Sequence, residues 1–221
     1  METAWGIADF SWGQTPGIDL VIYSRATERL LDGQSWFLDR QLAGPYPILM
    51  GDVLYPPVAA FLFAPFLVIP AALWWAIPIS ITVWLILRWR PAPWTWPLMA
   101  LCVLWPLTPA KTITGNPALW ITAFAAAGLE WRWPSALVLL KPSLFPFALI
   151  GIRDVRWWLV VGGLSLGSLL FVDETVAWFR VLLDSRGGGF LYSAVDIPMV
   201  LIPVIAWAGR RSMRRDPALG G

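Results

Sequence analysis

The chain has 221 residues, 58% hydrophobic and 14% charged, with 17 Trp, one Cys, no His and a formal charge of +2. A lone cysteine excludes an intrachain disulfide or a Cys-built zinc site, and the lack of His excludes imidazole acid–base chemistry. The arginines sort by loop and leave no nucleic-acid footprint. Instead, residues 53–87, 91–110, 112–129 and 157–172 are uncharged. Such runs match the ~20 apolar residues of a membrane helix, without the alternation of a barrel strand. The expected fold is all-α: a polytopic membrane helix bundle.

Residues 1–56 are mixed and polar, unlike a signal peptide, and form an expected outer region with an amphipathic helix. Pro16-Gly17 and Gly33 bracket that helix over residues 18–32. At 100° per residue, Ile22, Ala26 and Leu30 share a face with Asp19 and Tyr23, opposite Arg25, Glu28 and Asp32. An acid on the packing face has two readings: a helix N-cap, or a carboxylate aimed at an outer cavity. Further on, Gly51-Asp-Val-Leu-Tyr-Pro-Pro57 opens the bundle, because paired prolines suit an extended lead into a first helical turn. Tyr55 is then an interfacial anchor or the wall of a substrate cleft.

The bundle spans residues 57–209. A short apolar piece, 58–70, is interrupted at Pro65 and Pro70; 71–87 descends, 94–109 rises and 117–129 descends as a short helix. Ala110-Lys-Thr-Ile-Thr-Gly-Asn116 is an outer loop holding the only Asn. Gly-Asn before a helix offers free amides and a positive dipole end to an anion such as phosphate, or caps the helix. Lys111 beside it has the plain reading of a solvated loop charge.

Residues 134–152 are a re-entrant hairpin with Lys141-Pro142 near its tip, each arm of about nine to eleven residues reaching roughly 14–16 Å. The alternative is one tilted helix kinked at Pro142. Lys141 is the one charge inside the long apolar stretches. Mid-membrane it costs ~2.5–3.5 kcal/mol on insertion scales, so it needs a partner or a wet cavity unless it snorkels to an interface. Residues 157–172 then rise, 184–189 form a flexible loop, and 190–208 descend to a basic tail, 210–221. Trp74-Trp75, Trp89, Trp94, Trp96, Trp131, Trp133 and Trp157-Trp158 stand at segment ends as interfacial anchors.

Arg88 and Arg90, Arg132, Arg153 and Arg156, and the arginines from Arg210 onward all face the cytoplasm when basic loops are placed inside. Residues 1–56, with three Arg against seven acids, and 173–196, with two against four, are then outside. The chain is expected in the plasma membrane, N-terminal region outside and C-terminus inside. About five full crossings result, joined by short broken or re-entrant helices.

Taken in order, Gly17-Ile-Asp-Leu-Val-Ile-Tyr23, Leu30-Leu-Asp-Gly-Gln34, Leu54-Tyr-Pro-Pro57, Gly115-Asn116 and Leu140-Lys-Pro-Ser-Leu-Phe-Pro-Phe147 resemble glycosyltransferase family 87 of the GT-C superfamily. The resemblance runs from about Ile18 to Ala208. It implies transfer of a hexose, such as mannose, from a polyprenyl phosphate sugar to the hydroxyl of a lipid or glycan acceptor. It makes Asp19 the catalytic base, with Lys141 and Asn116 on phosphate and Tyr23 and Tyr55 at the substrate. Asn116 and Ala118 stand where the family has Gln and Asn. No metal or cofactor is implied beyond the donor. The chain starts inside the family's aspartate loop and stops early, so a missing first helix or a partner subunit is expected. A non-catalytic membrane subunit or lipid-binding relative is the alternative, and a small transporter coupled through Lys141 ranks behind both.

Overall fold

The structure is a computed structural model that describes residues 15–186 and 195–210. The expected N-terminal stretch before Thr15, the glycines of the 184–189 loop, the start of the 190–208 segment and the tail beyond Arg210 lie outside the described residues.

Helix α1 is Ile18–Leu31 and α2 is Asp39–Leu42; between α2 and the bundle, β1 (Tyr46–Pro47) follows. Pro56 is extended and Pro57 begins a broken apolar run, Pro57–Leu67, whose α-helical centre α3 is Ala60–Phe63. Helix α4 is Ala72–Trp89, 18 residues long. Next come α5 (Thr95–Leu104), α6 (Leu107–Thr114) and α7 (Ala118–Trp131). The 3₁₀ segment Trp133–Leu140 leads to Lys141, followed by Pro142–Leu144, α8 (Phe145–Ala148) and Leu149–Gly151. The chain ends in α9 (Val155–Leu170), α10 (Val172–Asp184), β2 (Ser185–Arg186) and α11 (Ile197–Ala208). β1 and β2 pair in parallel through two residues each, so beside the isolated Pro91–Arg210 bridge this clip is the strand pairing among the described residues, whose other regular elements are helical.

Helix α7 is the central post. Ala118 to Thr122, Ala123 and Ala125 to Gly128 are all buried, and its run of small side chains lets neighbouring backbones come close. Helices α4 and α11 and the Trp133–Leu140 segment all pack on it. An aromatic stack joins the outer region to this post: Tyr23 lies on Phe63 (4.8 Å), Phe63 on Trp74 (5.0 Å), and Trp74 beside Trp120 (5.5 Å).

Residues 132–151 close into a hairpin. The Ser135 hydroxyl lies 2.8 Å from the carbonyl oxygens of both Arg132 and Ala148 and accepts from the Gly151 amide at 3.0 Å. A Cβ on Gly151 would fall 2.3 Å from the Arg132 carbonyl oxygen, so only glycine fits that neck. The neck places the two arms side by side and removes the single kinked helix. Lys141 (φ −124°, ψ 83°) is the break between the arms, where Pro142 supplies no amide hydrogen and disfavours helical geometry in the residue before it.

Three expectations are corrected. The rising helix of residues 94–109 stops at Leu104, because Trp105 precedes Pro106 and takes an extended ψ of 125°. Pro106 then starts a second helix, so the expected outer loop around Lys111 is largely the helix α6. The segment 173–196 likewise begins as a helix, α10, turned 97° from α9. The tryptophans divide: Trp94, Trp96, Trp131 and Trp158 are exposed, but Trp74, Trp89 and Trp157 are buried, their indoles donating to Gly115 O, Glu130 Oε2 and Ala148 O.

The arginine segments gather at one end of the bundle. Arg88 pairs with Glu130 at 3.1 Å, Pro91 bridges to Arg210, and Gly151 packs against Arg132 and Trp157. The first turns of α4, α7 and α11, the hairpin tip and α1 lie at the opposite end. Among the described residues one helix, α4, is long and apolar enough to cross a membrane, with mean hydropathy 1.4. Helix α7, at 14 residues, reaches only ~21 Å.

Ser135→Ala should destabilise the protein by ~1–3 kcal/mol, since the buried Gly151 amide loses its acceptor. A denaturant midpoint equal to wild type would show that the neck is held otherwise.

Candidate functional site

At the end away from the arginine segments, four separate elements bring seven polar side chains together. Helix α1 supplies Asp19, and Tyr23 one turn later. Helix α6 supplies Lys111 and Thr114, with Asn116 just beyond. The hairpin tip supplies Lys141, and Asp196 stands immediately before α11.

Asp19 is the second residue of α1, and its carboxylate is not used as a cap. Gly17 holds the N-cap position and no side chain caps the helix. Among the described residues two side chains donate to the Asp19 carboxylate, both to Oδ2: Thr114 Oγ1 at 2.7 Å and Asn116 Nδ2 at 2.8 Å. Gly115 makes this approach possible. Its φ is +72°, and an added Cβ would lie 2.8 Å from the Trp75 ring. Glycine takes that left-handed conformation without strain, which ends α6 and turns Asn116 back toward α1.

Asn116 serves two elements. Its Oδ1 accepts from the Ala118 amide at 3.0 Å, the capping role, while its amide group reaches Asp19. The next amides of α7 are also occupied: Leu119 donates to Asn116 O, and Trp120 and Ile121 donate to Pro117 O. The expected cluster of free amides for an anion is therefore closed, and the cations that join the cluster are Lys111 and Lys141.

Lys111 and Lys141 both donate to Asp196, one to each carboxylate oxygen. Asp196 is fully buried and Lys141 is 6% exposed, so Lys141 neither snorkels nor stands alone. Lys111 is not a solvated loop charge. Its side chain is only 13% exposed. Lys141 Nζ also sits over the Tyr55 ring, 5.2 Å from its centroid, and Tyr55 meets Tyr23 edge to face at 5.2 Å. Both tyrosines are buried. Tyr55 is thus a wall of the site and not an interfacial anchor.

Thr114 and Asp196 were not singled out in the sequence. For Asp196 the available signal is an acid directly before Ile197-Pro198 at the head of the last apolar run; counted as a loop charge, it is easily passed over. Thr114 has no signal beyond lying two residues before Asn116. Beside the hairpin tip a cleft of about 180 Å³ opens, lined by Pro56, Leu140, Pro142, Ser165, Ser168 and Trp178. Among the described residues no group of three His, Cys, Asp or Glu gathers. Comparisons with family models, with curated proteins and with solved structures give no match to this chain.

Removing one partner of a buried ion pair costs ~3–5 kcal/mol when the other charge is stranded. Asp196→Asn removes the carboxylate that both lysines share and leaves the buried Lys141 without it, whereas Lys141→Met leaves Asp196 paired with Lys111. Asp196→Asn should therefore be the more destabilising change in thermal unfolding, and adding Lys141→Met to it should recover part of the loss. The reverse order would refute the pairing.

Asn116→Asp keeps an oxygen for the Ala118 amide but sets a second carboxylate against Asp19. It should be less stable at neutral pH than Asn116→Ala, which merely loses a cap worth ~0.5–2 kcal/mol. A more stable Asp variant would remove the Asn116–Asp19 contact from the account.

Proposed function

We propose that this chain is an integral membrane glycosyltransferase that moves a hexose, such as mannose, from a polyprenyl phosphate sugar to an acceptor hydroxyl at the outer face. The observation that carries the reading is that Thr114 lies between the Asp19 carboxylate and the Lys111 carbonyl, while the Lys111 and Lys141 ammonium groups share Asp196, so Asp19 and Lys141 stand in one polar cluster. The two lie 122 positions apart in sequence, yet both reach the bundle end opposite the arginine segments.

Membrane embedding is supported by the outward faces. Leu101, Leu104, Leu159, Leu166 and Leu170 are each more than 65% exposed, and apolar surface on that scale marks contact with lipid or a partner. With the arginine end inside, the expected five crossings are made by α4, α5 with α6, α7, α9 and α11, several of them short. Short helices leave the site recessed within the outer leaflet, where a lipid-linked donor arrives. The N-terminal region is outside and the C-terminus inside.

In the proposed reaction Asp19 takes the proton of the acceptor hydroxyl as general base. The acceptor oxygen bonds to the anomeric carbon while that carbon's bond to the phosphate oxygen breaks. The electron pair leaves with the phosphate, whose developing charge faces Lys141 and Lys111. Oδ1 of Asp19 is the oxygen suited to the proton, since both hydrogen bonds engage Oδ2. The cleft beside Pro142 offers an apolar slot to the polyprenyl chain. Tyr23 and Tyr55 wall the sugar side.

One observation favours a second reading. Asp196 already occupies both lysines, which suits a non-catalytic lipid-binding or subunit role. Asp19→Asn separates the two. It preserves shape, and loss of a general base lowers rate ~10²–10⁴-fold. Transfer from polyprenyl phosphate mannose by full-length protein in membranes should fall by that factor with donor binding kept. Turnover near wild type would reject Asp19 as base; donor binding without any transfer by wild type would favour the second reading.

For the topology, single cysteines replacing Arg132 and Arg153, in a Cys102→Ala background, should react with impermeant thiol reagent only from the cytoplasmic side. Arg25→Cys should react only from outside. Opposite labelling of Arg132→Cys and Arg153→Cys would break the hairpin.

A further inference from the structure

Helix α10 has two opposed faces, and only one of them is covered. The covered face meets the outer region. Glu174 accepts from the Ser35 hydroxyl and the Trp36 amide, the Trp178 indole donates to Leu54 O, and Val181 O accepts from the Tyr46 hydroxyl. The other face carries Val172, Val176, Phe179 and Leu183, exposed by 51, 46, 55 and 78%. At 100° per residue each set spans about 60°, and their centres lie about 160° apart on the helix. Asp173, Arg180 and Asp184 stand together along one flank between them. The stripe therefore points directly away from the outer region that covers α10.

The bend says what lies on that side. Helix α9 reaches the outer end with Leu166, Leu169 and Leu170 exposed by 67, 66 and 74%, and the chain then turns 97° into α10. The uncovered stripe continues the exposed face of α9 across the turn without a charge between Leu166 and Val172. A helix at right angles to a crossing helix runs along the bilayer plane. With the polar outer region above it, its opposite face is turned to the lipid.

We infer that α10 is an interfacial helix whose Val172–Val176–Phe179–Leu183 stripe is seated in the outer headgroup and acyl boundary of the bilayer, the usual depth for such a helix being ~5–10 Å. It rests on the membrane reading of the bundle and not on the transferase chemistry. Its consequence is mechanical. Trp178 belongs to α10 and lines the cleft beside Pro142, so a seated α10 fixes the height of that cleft relative to the lipid surface.

Nitroxide labels on single cysteines at Val176, Phe179, Leu183 and Arg180, in full-length Cys102→Ala protein in liposomes, test this. All four side chains point outward, so the fold is spared. Labels at Val176, Phe179 and Leu183 should collide with oxygen several-fold more than with a water-soluble nickel chelate, and the Arg180 label should show the reverse. A label at Val83, an exposed position on α4, is the reference. If Val83 is lipid-exposed while Phe179 and Leu183 match Arg180, the seating is overturned and embedding survives. If Val83 also reports water, the membrane reading falls and the inference with it. Labels on the stripe shielded from both reagents would instead show a second copy covering it, which also overturns the proposal.

Discussion

Two lysines share one buried carboxylate, and the upper half of the molecule is arranged around that demand. Asp196 has no exposure to solvent, and an isolated carboxylate there would carry a large desolvation cost unless paired. Lys111 comes from α6, Lys141 from the hairpin tip, and Asp196 from the start of α11. Bringing them to one point sets the length of the hairpin, the break at Trp105 and the depth at which α11 begins. Stranding either side of this pairing is costly, so the triad also ties three elements that share little apolar contact with one another.

The rest of the fold serves to bring those elements that far and no farther. Alanines and Gly128 keep α7 thin, so the hairpin and α4 can both lie close against it. Ser135 and Gly151 close the hairpin neck at the arginine end, which leaves Lys141 at the far end of two short arms. The Tyr23–Phe63–Trp74 stack then holds α1 down on the bundle, placing Asp19 within reach of Thr114 and Asn116. Asp19 and Lys141 are thus joined through α6, with Lys111 between them.

The structure divides the molecule into an arginine end and a site end, and the same division follows from charge alone. This agreement has a physical basis. In a membrane protein, arginines in short loops would be sorted to one side without reference to packing, and here helix length and turn position place the same loops together in space. The tryptophans show where such reasoning fails. Burial by neighbouring helices converts Trp74, Trp89 and Trp157 from surface residues into core donors, and no local pattern separates them from Trp94 or Trp158.

By itself the sequence determined the helical character, the α1 boundaries at Gly17 and Gly33, the face carrying Asp19 and Tyr23, and the oddity of Lys141. Each follows from local rules: apolar run length, a 3.6-residue period, or the cost of one charge in an apolar segment. Only the tertiary structure decided that the Lys141 hairpin closes, that Asn116 turns to Asp19, that the α7 amides are occupied, and that Asp196 is the anion both lysines meet. The Asn116–Asp19 contact and the two lysine–Asp196 pairs join residues 55 to 97 positions apart. Such contacts are set by the packing of whole elements, and an acid before an apolar helix looks the same in sequence whether it faces water or two buried lysines.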